Sequence, residues 1–342
     1  MNNTYAVFLA GGKGTRLWPL STPNFSKSFV SIENKKPLIE ESINRLKGVI
    51  PKKNIIIVVD KAQKKHLKKF VKGIPSGNIL VEPFGRSTAS AVGLAAIKLK
   101  PDDVMLILPT DAMIENPLGF KNALKKGINF AKKPQPSLIC VGIKPREPKT
   151  AYGYINIGPS SKSGVYPIRR FIEKPKRNLA LKLIKNPSNL WNAGMFIFKV
   201  KDILEAIKKH APLLYRELKV IKKSKKKIIQ AYSRMKNVSI DYQIMEKANN
   251  LFCVKGDFCW RDLGSWKSVG EFLKHDKLGN ASFGNLKLID AKGSIVYNTQ
   301  KKYVGVAGLK DIVVINTENG VLICRKQDTE RVKELANKIE VK

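Results

Sequence analysis

The chain has 342 residues, 43% of them hydrophobic, which suffices for one large domain with a smaller one attached. Its 64 Lys and Arg against 27 Asp and Glu give a formal net charge of +37, which suits anionic ligands, but the lysines spread along nearly every predicted helix as a solvated basic surface, and aromatics do not alternate with them as single-strand nucleic-acid binding would require. No apolar run approaches the ~20 residues of a bilayer span and no cleavable leader pattern precedes the first strand, so neither a membrane nor a nucleic-acid partner is expected and the expected setting is cytoplasmic.

The first predicted element is a buried strand over residues 5–9, which runs into Leu9-Ala10-Gly11-Gly12-Lys13-Gly14-Thr15-Arg16. Gly11, Gly12 and Gly14 remove the Cβ atoms that would hold a ligand off the backbone, and let consecutive N–H groups converge on an anion. Lys13 and Arg16 add positive charge, and Lys27 brackets the loop from the other side. A phosphate-binding loop after the first strand of an α/β sheet is the inference; the alternative is a tight glycine turn with solvated basic residues. The loop is neither common phosphate motif: Gly14 follows Lys13 where GxxxxGK[ST] needs Ser or Thr, and Leu17 stands where GxGxxG needs its last glycine.

Helices are predicted over 39–49, 61–72, 87–99 (capped near Ser87 or Thr88) and 117–131, alternating with strands over 54–59, 78–82, 103–108 and 137–142. Continuous apolar strands alternating with helices indicate a largely parallel sheet covered on both faces. The pattern then turns antiparallel, with strands over 152–158, 165–173 and 191–198, followed by a lysine-heavy helical stretch over 201–234, a short helix over 240–247 and a strand over 251–254. From residue 282 short β runs at 286–289, 294–297, 304–306, 312–315 and 321–324 read as a separate all-β piece, too irregular for a strict hexapeptide repeat, closed by a helix over 329–339. The expected fold is an α/β, Rossmann-like mixed and mainly parallel sheet flanked by helices over 1–278, with a small C-terminal all-β, β-helix-like domain over 279–342.

Cys140, Cys253, Cys259 and Cys324 form no CxxC pair and read as free, mostly buried thiols; His66, His210 and His275 read as surface residues. Asp111 follows the apolar strand 103–108 through Pro109-Thr110, where ligands bind in parallel sheets, and is a candidate to hold Mg²⁺; the alternative is a helix N-cap. Asp262, between Trp260 and Trp266 in CWRDLGSW, suggests a pocket wall and a second metal ligand, or else the cap of a helix starting near Ser265. Glu173-Lys174 ends one strand and Asn192 begins another, a polar group suited to sugar hydroxyls and a phosphate, or a turn-capping set.

The ordered segments LAGGKGTRLWPLS, EPFGRSTASA, LPTDAMI, YGYINIG, FIEKP, WNAGMFIF, IDYQIMEK and WRDLGSW resemble the mannose-1-phosphate guanylyltransferases (GDP-mannose pyrophosphorylases), over nearly the whole chain, and within them the short single-function type without the isomerase domain. The resemblance implies in-line attack of a sugar-1-phosphate oxygen on the α-phosphorus of GTP, with pyrophosphate leaving and no covalent enzyme intermediate. It implies that Leu9, Ala10, Gly11, Gly12, Gly14, Thr15 and Asp111 line the nucleotide, and that Glu82, Pro83 and Gly85 meet the guanine. Arg16 and Lys27 would hold the triphosphate, Asp111 and Asp262 would bind Mg²⁺, Gly153, Glu173 and Asn192 would contact the sugar, and Lys174 its phosphate. Self-association as a homodimer through the β tail is implied in the same way. Departures from the family pattern are Ser26-Lys27-Ser28 for Pro-Lys-Gln, Ser87 and Ser90 for the Asn and Pro of GRNTAPA, Ala112 for His, and Ala193 for a small polar residue. They bear on base and sugar choice, leaving another sugar 1-phosphate, such as a manno-heptose 1-phosphate, or a non-catalytic sugar-nucleotide-binding regulator as alternative readings.

Overall fold

A computed structural model describes residues 3–340 except 13, 34–35 and 160–162, so Lys13 of the opening loop lies outside the described residues. The chain opens with β1 (Thr4–Leu9), α1 (Leu38–Arg45), β2 (Ile55–Asp60), α2 (Lys64–Phe70), β3 (Ile79–Glu82), α3 (Ser87–Ala96), β4 (Val104–Pro109), β5 (Ala112–Glu115), α4 (Pro117–Ala131) and β6 (Leu138–Ile143). It continues through β7 (Tyr154–Ile157), β8 (Val165–Ile172), α5 (Arg177–Leu183), β9 (Asn189–Lys199), α6 (Val200–His210), α7 (Pro212–Lys223), α8 (Ile228–Arg234), β10 (Leu251–Lys255), β11 (Cys259–Asp262) and α9 (Trp266–Phe272).

Nine strands form one sheet in the order β3-β2-β1-β4-β9-β6-β10-β8-β7. β3, β2, β1 and β4 run parallel, whereas β9 is antiparallel to both β4 and β6. Successive residues of β1 enter different cores, Ala6 and Phe8 on one face and Val7 on the other, which is why the strand is apolar without alternation. The loop after β1 leaves the carboxyl edge of the sheet between β2 and β4, the crevice where such sheets hold ligands.

The helical stretch expected over 201–234 is three helices. Pro212 opens α7 and drives Ala211 to φ −141°, out of helical geometry, and Ser224 interrupts the chain again at φ −149°. The turn expected as a short helix is wound as a π-helix over Asp241–Met245, a rare geometry that concentrates at functional sites. β5 and β11 were not expected. They pair antiparallel as a two-stranded ribbon apart from the main sheet.

The tail comprises β12 (Ala281–Phe283), β13 (Leu286–Ile289), β14 (Ile295–Asn298), β15 (Val304–Ala307), β16 (Ile312–Thr317), β17 (Gly320–Arg325) and α10 (Val332–Glu340). β12, β14 and β16 stack in parallel, as do β13 and β15, and β17 folds back on β16. Asn316 donates to Asn298 at 3.0 Å between successive coils, and Phe283 stacks on Tyr297. The tail is not packed as a separate piece: Leu17, Val30, Leu263 and Trp266 share one core with Ile295, Tyr297, Val313 and Leu322. Among the described residues no helix is long and apolar enough to cross a membrane.

Candidate functional site

The opening loop is held by its own polar side chains. Ser21 Oγ donates to the Gly14 carbonyl and Ser26 Oγ to the Gly12 carbonyl, each at 2.6 Å. Ser26 also caps the short 3₁₀ turn Lys27–Phe29, and Ser28 Oγ meets Thr110 Oγ1 at 2.7 Å. Ser26 and Ser28, the two departures that flank Lys27, therefore fix the lysine against the end of β4. Gly14 sits at φ +67°, and a Cβ there would lie 2.8 Å from Lys27 Cβ, so glycine is required for the loop and the lysine to meet. Among the described residues nothing lies within 4 Å of a Cβ built on Gly12.

The unexpected ribbon brings the two candidate metal carboxylates together. β5 starts at Ala112 and β11 ends at Asp262, and these two residues are opposite each other in register. The Leu263 amide donates to the Asp111 carbonyl at 3.1 Å, closing the end of the ribbon. Lys27 Nζ forms an ion pair with Asp111. Burial opposes the charge on Asp111, yet the Lys27 ammonium holds its carboxyl below the usual range. Burial and then the charge of Asp111 push Asp262 up to about 6, with Lys27 and Arg16 opposing. Neither aspartate caps a helix: Asn116 caps α4 and Ser265 caps α9.

Asp111, just before β5, and Asp262, at the end of β11, are half-buried like charges that a divalent cation would relieve. Among the described residues no third His, Cys, Asp or Glu joins them as a metal cluster, leaving most of a coordination shell to phosphate and water oxygens. That donor set, few carboxylates and no soft ligand, fits Mg²⁺.

A cavity of about 660 Å³ is lined by Leu9, Gly11, Gly12, Lys27, Gly85 and Asp111, all expected at the nucleotide. Glu82 forms its floor, 4% exposed, with Ser90 Oγ donating to it at 3.3 Å. Burial pushes this carboxyl up to about 7, against the Ser90 hydrogen bond. Ala10 is buried, its amide donating to the Val58 carbonyl at 2.8 Å, while Pro83 continues from β3 and Thr15 opens the 3₁₀ turn Thr15–Leu17. The expected cap of α3 is absent: Ser87 stands at φ +66°, and Thr88 Oγ1 accepts from the Ile240 amide instead.

The expected sugar-side residues also converge. The Asn192 amide donates to the Gly153 carbonyl at 2.8 Å, and a Cβ on Gly153 would lie 2.4 Å from Glu173 Oε2. Lys174 Nζ is 2.7 Å from Glu173 Oε1. Burial, then the neighbouring Asp241, push Glu173 up to about 7, with Lys174 opposing. Glu173 Oε2 is buried without a hydrogen-bond partner among the described residues, an acceptor available to a ligand hydroxyl. Asp241 joins this group to the nucleotide cavity: it lines the cavity and accepts from Asn192 Nδ2 at 3.0 Å. Asp241, at the start of the π-helix, and Asp60, at the carboxyl end of β2, were not singled out from the sequence. Position at a strand end was an available signal for Asp60; Asp241 lies in IDYQIMEK, one of the segments that carry the resemblance, but nothing in the sequence marked the π-helical winding.

Arg16 and Asp262 do not line the nucleotide cavity. They line a neighbouring cleft of about 910 Å³ shared with the tail, where Arg16 sits 3.6 Å from Glu330. Gly264 lines the same cleft, but the expected tryptophan wall is core: Trp260 packs on Tyr152, and Trp266, wholly buried, donates to the Trp18 carbonyl. His66 is not a free surface residue; it packs against Phe25 and Phe29. All four cysteines are free, Cys140 and Cys253 fully buried.

Residues 5–277 match the nucleotidyl transferase family model, and residues 284–339 match that of the mannoseP isomerase/GMP-like beta-helix domain. A mannose-1-phosphate guanylyltransferase from Escherichia coli is 31% identical over 360 residues, covering 98% of this chain and 75% of its own length. The alginate biosynthesis protein AlgA from Pseudomonas aeruginosa is 32% identical, covering 98% of this chain and 72% of its own. Among solved structures, mannose-1-phosphate geranyltransferase from Thermus thermophilus superposes with a TM-score of 0.90 at 30% identity, over 99% of both chains.

Proposed function

The chain belongs to the mannose-1-phosphate guanylyltransferase family, a nucleotidyl transferase fold carrying the associated β-helix tail, and from that premise we propose how its residues transfer GMP from GTP to mannose 1-phosphate. The products are GDP-mannose and pyrophosphate. A phosphate oxygen of mannose 1-phosphate forms a bond to the α-phosphorus of GTP as the bond from that phosphorus to the α,β-bridging oxygen breaks, and this oxygen leaves as a terminal oxygen of pyrophosphate. Catalysis is positioning and charge neutralisation, because no enzyme atom enters a covalent bond.

The observation that supports these roles is the meeting of Asp111, Asp262 and Lys27 at the mouth of the glycine loop. The backbone of Gly11 and Gly12 approaches the nucleotide closely, with Glu82 beneath as acceptor for the N–H donors on the edge of guanine. Lys27 and Arg16 offset negative charge on the triphosphate, and Lys174 does so for the incoming sugar phosphate. Asn192, Glu173 and the Gly153 backbone orient the hexose hydroxyls. Asp111 and Asp262 would hold Mg²⁺, which would supply positive charge to stabilise the negative charge that develops on the phosphates. The division at 278/279 and a cytoplasmic setting, where GTP is available, belong to the same reading.

The test is pyrophosphate release from GTP and mannose 1-phosphate with Mg²⁺ present. Asp111→Ala and Asp262→Ala are each expected to lower turnover by about 100-fold or more, the scale of losing a charge-stabilising group. Near-normal turnover in either variant would falsify the metal assignment.

A further inference from the structure

We propose that the cleft between the catalytic body and the tail binds the departing pyrophosphate, and that Lys310 and Arg325 of the tail are pyrophosphate-binding residues. The inference rests on the guanylyl-transfer reading above and extends it to a part of the chain that reading leaves idle. Asp111 lines the nucleotide cavity and Asp262 lines the cleft, so the two spaces adjoin at the carboxylate pair. Arg16, which the guanylyl-transfer reading sets on the triphosphate, lines this cleft together with Asp262, so the phosphates that leave as pyrophosphate adjoin it.

The cleft has the chemistry for a polyanion. Arg16, Lys149 and Lys267 come from the catalytic body, and Lys310, Arg325 and Lys326 from the tail, against Asp262, Asp311 and Glu330. Two of these cations are already engaged. Lys149 is held by Glu147 and Glu271 at 3.0 and 3.4 Å, and Lys326 Nζ donates to the Gly293 carbonyl at 2.9 Å. Lys310 and Arg325 make no side-chain hydrogen bond or ion pair among the described residues. Their backbones are nonetheless fixed: Arg325 pairs with Ile312 at the end of β17, and Lys310 bridges to Lys292. Fixed, unengaged cations facing a cleft that begins at the reacting phosphates are preorganised for a phosphate anion. Arg16, 40% exposed and held among the described residues by the 65% exposed Glu330, can exchange that partner for phosphate.

The experiment compares the full chain with the double variant Lys310→Ala/Arg325→Ala, and with Lys301→Ala/Lys302→Ala, which removes two exposed tail charges elsewhere. Pyrophosphate affinity with Mg²⁺ is measured by calorimetry, and the KM values for pyrophosphate and GDP-mannose in the reverse reaction. Loss of two charge-assisted contacts is expected to weaken pyrophosphate by about tenfold or more, with the GDP-mannose KM within about twofold. The Lys301/Lys302 control is expected to match the unmodified chain. Equal pyrophosphate affinity in all three proteins, equal weakening in both variants, or no binding to the unmodified chain overturns the proposal. Thermal unfolding checks that the variants fold, and Lys310→Gln and Arg325→Gln singly serve where the double alanine variant does not. If the unmodified chain releases no pyrophosphate from GTP and mannose 1-phosphate, the guanylyl-transfer reading fails, while the calorimetric comparison still decides the cleft.

Discussion

At the scale of single residues, the site stores cost in groups that its ligands relieve. Glu82 shows this most directly. Its pKa rises from 4.5 to about 7 on folding, chiefly through burial. Below about pH 4.5 the carboxyl is protonated in both states and costs nothing. As pH rises to about 7 the unfolded chain releases the proton while the folded chain keeps it, so stability falls; above 7 the full cost, about 3 kcal/mol from the shift, persists. Glu82→Gln is therefore expected to stabilise the ligand-free protein at pH 8 by up to about 3 kcal/mol and to leave it unchanged near pH 4.5, as read from urea unfolding of variant against parent. The same variant should raise the KM for GTP, because the carboxylate proposed as acceptor for guanine is gone. A gain independent of pH would show that Glu82 is not the strained group. Ser87 is a second case, a non-glycine residue at φ +66° in the cavity wall. Asparagine tolerates this conformation better than serine, so Ser87→Asn should add a few tenths to about 1 kcal/mol in the same measurement. The glycine loop and Asp111 were legible as residues following predicted strands, Lys27 as a cation bracketing the loop and Asp262 from its flanking tryptophans, whereas Glu82 rested on the family resemblance alone. The roles of Ser26 and Ser28 were not, because hydroxyls that bond to a distant loop leave no periodic signal.

At the scale of elements, the sheet was legible and the ribbon that assembles the site was not. β1, β2, β4 and β6 are uninterrupted apolar runs, buried on both faces, and their sequences say so. β5 and β11 are four residues each and lie far apart in sequence, Glu115 pairing with Cys259 and Ala112 with Asp262. Neither is long enough to show a period, and their pairing is a tertiary event. Asn116 clamps this ribbon. At φ +65° it caps α4 through Gly119 and donates Nδ2 to the Asp257 carbonyl, just before β11, at 2.9 Å. A Cβ on Gly119 would lie 2.0 Å from that same carbonyl, so the approach is tight. Asn116→Ala loses the cap and places alanine at positive φ, an expected cost of about 1–2 kcal/mol in unfolding experiments. Turnover should fall as well, because the variant loosens the ribbon that carries Asp111 and Asp262. Lost stability with unchanged turnover at a temperature where the variant is folded would show that the clamp does not position the carboxylates.

At the scale of the whole molecule, the composition divides the chain in two, but the core joins it. Among the described residues the tail strands β12–β17 form sheets with one another and none with the strands of the body. Sequence periodicity reports such local pairing and is silent on which surfaces meet. Leu17 of the opening loop and Trp266 of α9 are fully buried, and they share a core with Tyr297 and Leu322 of the tail. The tail also grips the loop through polar contacts: Thr317 Oγ1 and Asn319 Nδ2 each donate to the Pro19 carbonyl at 3.2 Å, and the Tyr297 hydroxyl accepts from the Glu33 amide. The glycine loop is thus buttressed from outside its own sheet, which predicts that its order depends on the tail. Tyr297 is the position to test, being 1% exposed, stacked on Phe283 at 4.8 Å and tilted against Trp266 at 5.4 Å. Tyr297→Ala should cost about 3–5 kcal/mol, the range for removing a large buried aromatic. If body and tail fold as one unit, the full chain melts in a single transition, which the variant shifts down intact. Amide exchange should then rise in residues 15–32 as well as in the tail. Two transitions, with exchange in 15–32 unchanged when the tail melts, would mean that the shared core does not couple them, and that the loop keeps its shape unaided.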